Sequence, residues 1–158
     1  MGSAVGIIMG QLLGAGEPEH VIRDNNRKLI TAGVISGVIF GGLMLSISGV
    51  FPMLYNTDEE VRHLAARLIC ISAIMLPMHS YTHATYFTLR SGGQTMVTFL
   101  FDSCFQWLVC VPVGFCLSRF TAISILPLYF ACQSTDVLKS FLGYWMLKQG
   151  KWIRNLTN

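Results

Sequence analysis

Apolar residues run through this chain in blocks, and the charged residues collect between them. From Leu29 to Thr57 there is no charged side chain; Arg27-Lys28 precede the stretch and Asp58-Glu59-Glu60 follow it. A hydrocarbon core about 30 Å thick needs roughly 20 apolar residues at 1.5 Å rise each, so a block of this length predicts a membrane-crossing helix, over 29–55. Similar blocks predict helices over 62–89, 95–117 and 121–147. A shorter block over 1–14 predicts the tail of a helix that does not span. The fold class expected is all-α, a polytopic transmembrane helix bundle treated as a single partial domain over 1–158.

The connections support this division. Gly14 and Gly16 suit the end of the first helix, and Pro18 suits the start of the next. Val21 and Ile22, set among Arg23, Arg27 and Lys28, predict a short helix lying at headgroup level within an interfacial loop over 17–28. Thr57-Asp-Glu-Glu60 reads as a capping box opening the third block. Arg90–Thr95 and Ser118–Thr121 read as tight turns, which make consecutive helices antiparallel neighbours. Glycines at 2, 6, 10 and 14, and at 33, 37 and 41, fall on one face of their helices. Such faces let a neighbouring backbone approach closely, so both helices are expected to pack through them.

Composition agrees with lipid as the solvent. The chain is 53% hydrophobic and 12% charged, whereas soluble domains carry about 25% charged residues. Its net charge of +3 includes no basic stripe with interleaved aromatics, so nucleic acid is not an expected partner. If the 17–28 loop is cytoplasmic, that side holds Arg23, Arg27, Lys28, Arg90, Lys148, Lys151 and Arg154, and the other side holds Arg62, Arg67 and Arg119. The excess predicts a cytoplasmic loop and a cytoplasmic tail over 148–158, in an integral plasma (inner) membrane protein. The five cysteines show no metal-ligand spacing and read as free, buried thiols. Asn155-Leu-Thr157 matches a glycosylation pattern but falls on the wrong side of the membrane for it. Met1 opens directly into an apolar segment, as a start inside a longer gene would.

Several stretches, in order, resemble one family. Gly10-Gln-Leu-Leu-Gly-Ala-Gly16 with its polar loop is similar to the end of the second helix of a repeat in multidrug and toxic compound extrusion (MATE) transporters. Thr57-Asp-Glu-Glu60 resembles the entry to the fourth helix of a repeat. Thr88-Leu-Arg-Ser-Gly-Gly-Gln-Thr95 resembles a loop of the type LRGxGDT, with Ser91 and Gln94 as departures, and Lys151-Trp152 resembles the family's ending. The resemblance implies two six-helix lobes around a cavity that opens alternately to each side. Of these the chain would supply the tail of helix eight and helices nine to twelve, its partner being the N-terminal lobe of the same transporter. It also implies an antiporter that exports organic cations or other small amphipathic compounds in exchange for H⁺ or Na⁺, with no cofactor. The acidic residue that some members carry in helix ten is absent.

Ionisable residues inside membrane segments are costly, so each is a candidate site. His79 and His83 share a face of the third block, just after Pro77, with Tyr86 close to that face; an imidazole can load and release a proton near neutral pH. Packing is the alternative role, and a zinc site lacks the glutamate of an HExxH motif. Asp136 and Lys139 share a face of the last helix, with Gln133 one turn earlier, and suit either an internal ion pair or a cavity wall. Pro127 is expected to help that helix bend. Asp102 either faces the interior or reaches the headgroups. Trp107 and Trp145 suit packing or the interface; Met75, Met78 and Phe87 are candidate wall residues. A lipid-linked saccharide flippase is the nearest alternative, but its cavity should be more cationic than Lys139 alone provides. A membrane-embedded enzyme would need clustered catalytic motifs that are not found, and a structural subunit remains a third reading.

Overall fold

A computed structural model describes residues 2–120, 124–150 and 152–153. The described residues form helices and turns without a strand: α1 (Gly2–Gly14), α2 (Glu19–Ile47), a 3₁₀ turn (Phe51–Leu54), α3 (Glu59–Ser91), α4 (Thr95–Phe99), two π-helical stretches (Leu100–Cys104 and Gln106–Cys110), α5 (Val111–Phe120) and α6 (Ile125–Gln149). The 121–123 connection and the glycosylation pattern lie outside the described residues.

α2, α3 and the run Asp102–Phe120 are long and apolar enough to cross a membrane. α6, expected as a fourth span, has the length with 25 residues but does not reach the same hydropathy, since Asp136, Lys139 and Lys148 interrupt it. α1, at 13 residues, is about 20 Å long and too short to span. The short interfacial helix expected over 17–28 does not stand alone. It forms the first turns of α2, where the pairs Arg23–Glu19 (2.7 Å) and Lys28–Asp24 (2.6 Å) sit one turn apart and support a continuous helix.

α3 is the axis of the bundle and touches α1, α2 and α6. The α2 glycines meet it as expected. Gly33 lies over Ala84, Gly37 over Pro77 and Ser80, and Gly41 over the Ala73 carbonyl. That carbonyl lies four residues before Pro77, which has no N–H to donate to it. A methyl group at Gly41 would sit 2.7 Å from this oxygen, so the glycine permits the approach. The α1 face is used only in part: Gly2 and Gly6 lie against Phe87, while Gly10 and Gly14 meet nothing within 4 Å.

The helix ends follow local chemistry. Gly16 takes φ +68°, with Glu17 N–H donating to Leu12 C=O and Gly16 N–H to Leu13 C=O (both 3.3 Å), the Schellman pattern. Gly93 repeats it after α3, at φ +80°. The expected capping box does not form: Asp58 takes the N-cap place of α3 without a side-chain cap bond, and Thr57 lies outside the helix. Pro127 is the third residue of α6, where its missing N–H has no helical partner to lose, so it is no source of a bend.

Apart from Ala73, the buried apolar side chains gather at the basic end of the bundle. Val5, Met9 and Leu13 of α1, Ile22 of α2, Ala84 and Leu89 of α3, and Trp152 make one cluster. Trp152 closes it, its Nε1–H donating to Leu147 C=O at 3.1 Å. Elsewhere the large apolar residues point outward, Trp107 at 72% exposure and Phe141 at 72% among them, as lipid-facing side chains do. Trp145 is exposed too, and none of the cysteines expected to be buried is fully so: Cys116 is exposed and the other four are half-buried. The cysteines carry no disulfide among the described residues.

Candidate functional site

His79 lies near the middle of the membrane on α3. It is 12 residues after Arg67 and 11 before Arg90, about 18 Å and 16 Å along a helix. Asp136 holds the matching place on α6, 12 residues after Ser124 and 12 before Lys148. α3 packs on α6, so two ionisable groups that lipid would disfavour meet each other instead.

The meeting is a network. His79 Nδ1 is 3.1 Å from Asp136 Oδ2, and Lys139 Nζ is 3.4 Å from Asp136 Oδ1. Lys139 Nζ also approaches Asp102 Oδ1 at 3.7 Å and donates to Gln106 Oε1 at 3.3 Å, with the Phe105 ring centroid 5.5 Å away. The ammonium group is the buried member: the Lys139 side chain is 8% exposed, Asp136 24% and Asp102 63%. Asp102 and Gln106 reach it from the π-helical stretches, a departure from α-helical register that recurs at functional sites. Asp102 thus turns towards the interior cluster.

All five candidate residues, His79, His83, Asp102, Asp136 and Lys139, line one cleft of about 220 Å³, with Tyr86 and Phe87 as its aromatic wall. The two histidines differ. His79 is partly buried and bonded on both ring nitrogens, while His83 is exposed and has no polar partner among the described residues. Met78 lines a separate cleft with Tyr81, Ser140 and Tyr144.

Hydrogen-bond polarity assigns one proton of His79. The Ser72 hydroxyl donates its hydrogen to Leu68 C=O at 3.0 Å. In the 2.7 Å contact between Ser72 Oγ and Tyr129 OH, tyrosine must therefore donate. Its hydroxyl can then only accept from Gln133 Nε2, at 3.0 Å. That orientation turns Gln133 Oε1 towards His79 Nε2, at 3.0 Å, so Nε2 carries a hydrogen and donates it. The other nitrogen faces a carboxylate oxygen. One further proton can sit between Nδ1 and Asp136 Oδ2, on either atom, without disturbing the rest. Tyr129, Gln133 and Asp136 follow i, i+4, i+7 along α6, a stripe legible in the sequence; Ser72 and Tyr129 were not singled out there because each alone is an ordinary helix residue. No cluster of His, Cys, Asp and Glu suited to a metal ion occurs among the described residues.

A bundle of long apolar helices with a polar cluster at mid-depth defines a polytopic membrane protein with an internal site. The family model MatE matches residues 1–116, and the chain belongs to that family of multidrug and toxic compound extrusion transporters. It is similar to the probable multidrug resistance protein YoeA of Bacillus subtilis (26% identical, over 91% of this chain and 31% of that protein). It is also similar to multidrug and toxin extrusion protein 1 of Homo sapiens (24%, over 89% and 25%) and to the probable multidrug resistance protein NorM of Idiomarina loihiensis (28%, over 72% and 24%). The chain thus spans about a quarter to a third of the length of these relatives. No solved structure matches it.

Proposed function

We propose that this chain forms part of the C-terminal lobe of an antiporter that exports organic cations in exchange for protons, with the His79–Asp136–Lys139 cluster as the exchange site. The observation that carries the reading is the charge balance of the cleft. Asp102 and Asp136 face Lys139: two carboxylates against one ammonium. With His79 neutral, one negative charge is left over and favours a cation in the cleft. With the shared proton bound, the charge cancels and a cationic substrate loses its attraction. Proton and organic cation therefore compete for one negative charge, which is the requirement for exchange.

Na⁺ fits less well. Lys139 Nζ already occupies the second oxygen of Asp136, and a metal cation placed there would meet the ammonium. The aromatic wall of Tyr86 and Phe87 suits a delocalised organic cation. The charge asymmetry of the loops supports an orientation with the 17–28 segment and the C-terminal end in the cytoplasm.

Proton release tests the reading. Tetraphenylphosphonium added to the detergent-solubilised chain in weak buffer should release protons, up to one per bound cation, and Asp136→Asn and His79→Gln should release none. His83→Gln should release as much as wild type. Binding without proton release, or equal release from Asp136→Asn, overturns the proposal.

A further inference from the structure

A second cleft, of about 400 Å³, opens between the start of α2 and the end of α6. Arg23, Arg27 and Lys148 bring three cations to it. Arg23 is paired with Glu19 at 2.7 Å; the side chains of Arg27 and Lys148 have no counter-ion among the described residues. Asn26 adds a neutral polar group. Its amide lies 2.8 Å from the Thr88 hydroxyl, whose single hydrogen has the Ala84 C=O as a second acceptor at 3.0 Å.

Polarity changes in the same direction on both walls. On α2, Arg27 is followed by Ile30 on the same face; on α6, Lys148 is preceded one turn earlier by Tyr144, and both apolar residues line the cleft. The helices are antiparallel, so the cations lie at one level and Ile30 and Tyr144 lie about 5 Å deeper in the membrane. We propose that this cleft binds the phosphate of an anionic phospholipid from the leaflet that the basic end of the bundle faces. Arg27 and Lys148 hold the charge, and an acyl chain lies against Ile30 and Tyr144. A soluble phosphate would use the cations and leave the apolar wall uncovered. The lipid matches both halves of the cleft, as basic pockets between membrane helices do.

Binding of fluorescent phosphatidylglycerol to the detergent-solubilised chain, with phosphatidylcholine as the reference, tests the site. Wild type should prefer phosphatidylglycerol. At about 1 kcal/mol per cation, Arg27→Gln or Lys148→Gln should weaken that preference about fivefold and the double variant about 25-fold. Arg119→Gln, which removes an exposed cation beyond the opposite end of the fourth span, should change nothing. Equal binding of the two lipids, an unchanged double variant, or an equal loss from Arg119→Gln overturns the proposal. So does complete displacement of the lipid by millimolar inorganic phosphate, which would mean that the cleft reads a free anion.

Discussion

Asp136→Asn should destabilise the chain, and removing Lys139 as well should recover most of the loss. Asp136 holds both His79 and Lys139, and Lys139 is the buried ammonium. Removing one partner of a buried pair costs about 3–5 kcal/mol. Asp136 is a quarter exposed, and Asp102 and Gln106 still reach Lys139, so about 2 kcal/mol is expected here. For a chain of this size that lowers the melting temperature by about 4–8 °C. Lys139→Met alone leaves Asp136 bonded to His79 and should cost about 1 kcal/mol. The double variant leaves no buried charge without a partner, since Asp102 is 63% exposed, and should also lose about 1 kcal/mol, a coupling of about 2 kcal/mol. The five free cysteines supply the assay: a thiol-reactive dye reports their exposure as the detergent-solubilised chain melts. Additive single-variant losses, within about 0.5 kcal/mol, refute the reasoning.

Two further outcomes follow from the same contacts. Tyr129→Phe removes the hydroxyl that orients Gln133. It should cost about 1 kcal/mol and leave His79 Nε2 without a fixed donor role, read as loss of its slowly exchanging ¹⁵N-bound proton; an unchanged imidazole spectrum contradicts the assigned polarity. Gly41→Val drives a side chain into the Ala73 carbonyl, whereas a residue at Gly42 meets nothing within 4 Å. The first should lower stability by about 2 kcal/mol and Gly42→Val by far less, so equal melting temperatures dismiss the close α2–α3 approach.

Much of this arrangement was legible in the chain because lipid leaves so few alternatives. A charge at mid-membrane must find a partner, so the Asp136–Lys139 pair was readable from spacing, whereas the meeting of His79 and Asp102 with that pair comes from how α3 and the π-helical stretch pack on α6. The α2 glycines were equally readable, since small residues four apart have one common use between membrane helices. The misreadings arose where two local signals competed. Asp58 stood beside Thr57 as an alternative N-cap and took the place. Glu19–Arg23 and Asp24–Lys28 carried i, i+4 support that extends α2 backwards, but the block of charges read as a separate interfacial segment. Gly10 and Gly14 share the spacing of Gly2 and Gly6, yet only the latter lie opposite Phe87. The π-helical stretches left no local signature, because such a register is set by packing rather than by residue type. Trp152 looked like part of a polar tail; its burial depends on the close approach of Gly92 at the end of α3, which no local pattern announces.

In the proposed exchange, the division of the site between two helices is what links proton affinity to conformation. The base stands on α3 and the acid on α6, and a proton shared between Nδ1 and Oδ2 depends on the 3.1 Å that separates them. Helix shifts in conformational transitions are about 1–2 Å. A movement of that size takes the pair out of hydrogen-bond range and removes the reason for the proton to stay. α3 has a place to move from: Pro77 lies two residues before His79 and donates no N–H to the Ala73 carbonyl, and Gly37 and Gly41 let α2 follow it without a side-chain barrier. Lys139 stays on the same helix as Asp136, so its attraction changes little as α3 shifts. The ammonium stays beside the carboxylate in both arrangements, and the contact with the imidazole is the one that registers which arrangement the helices have taken.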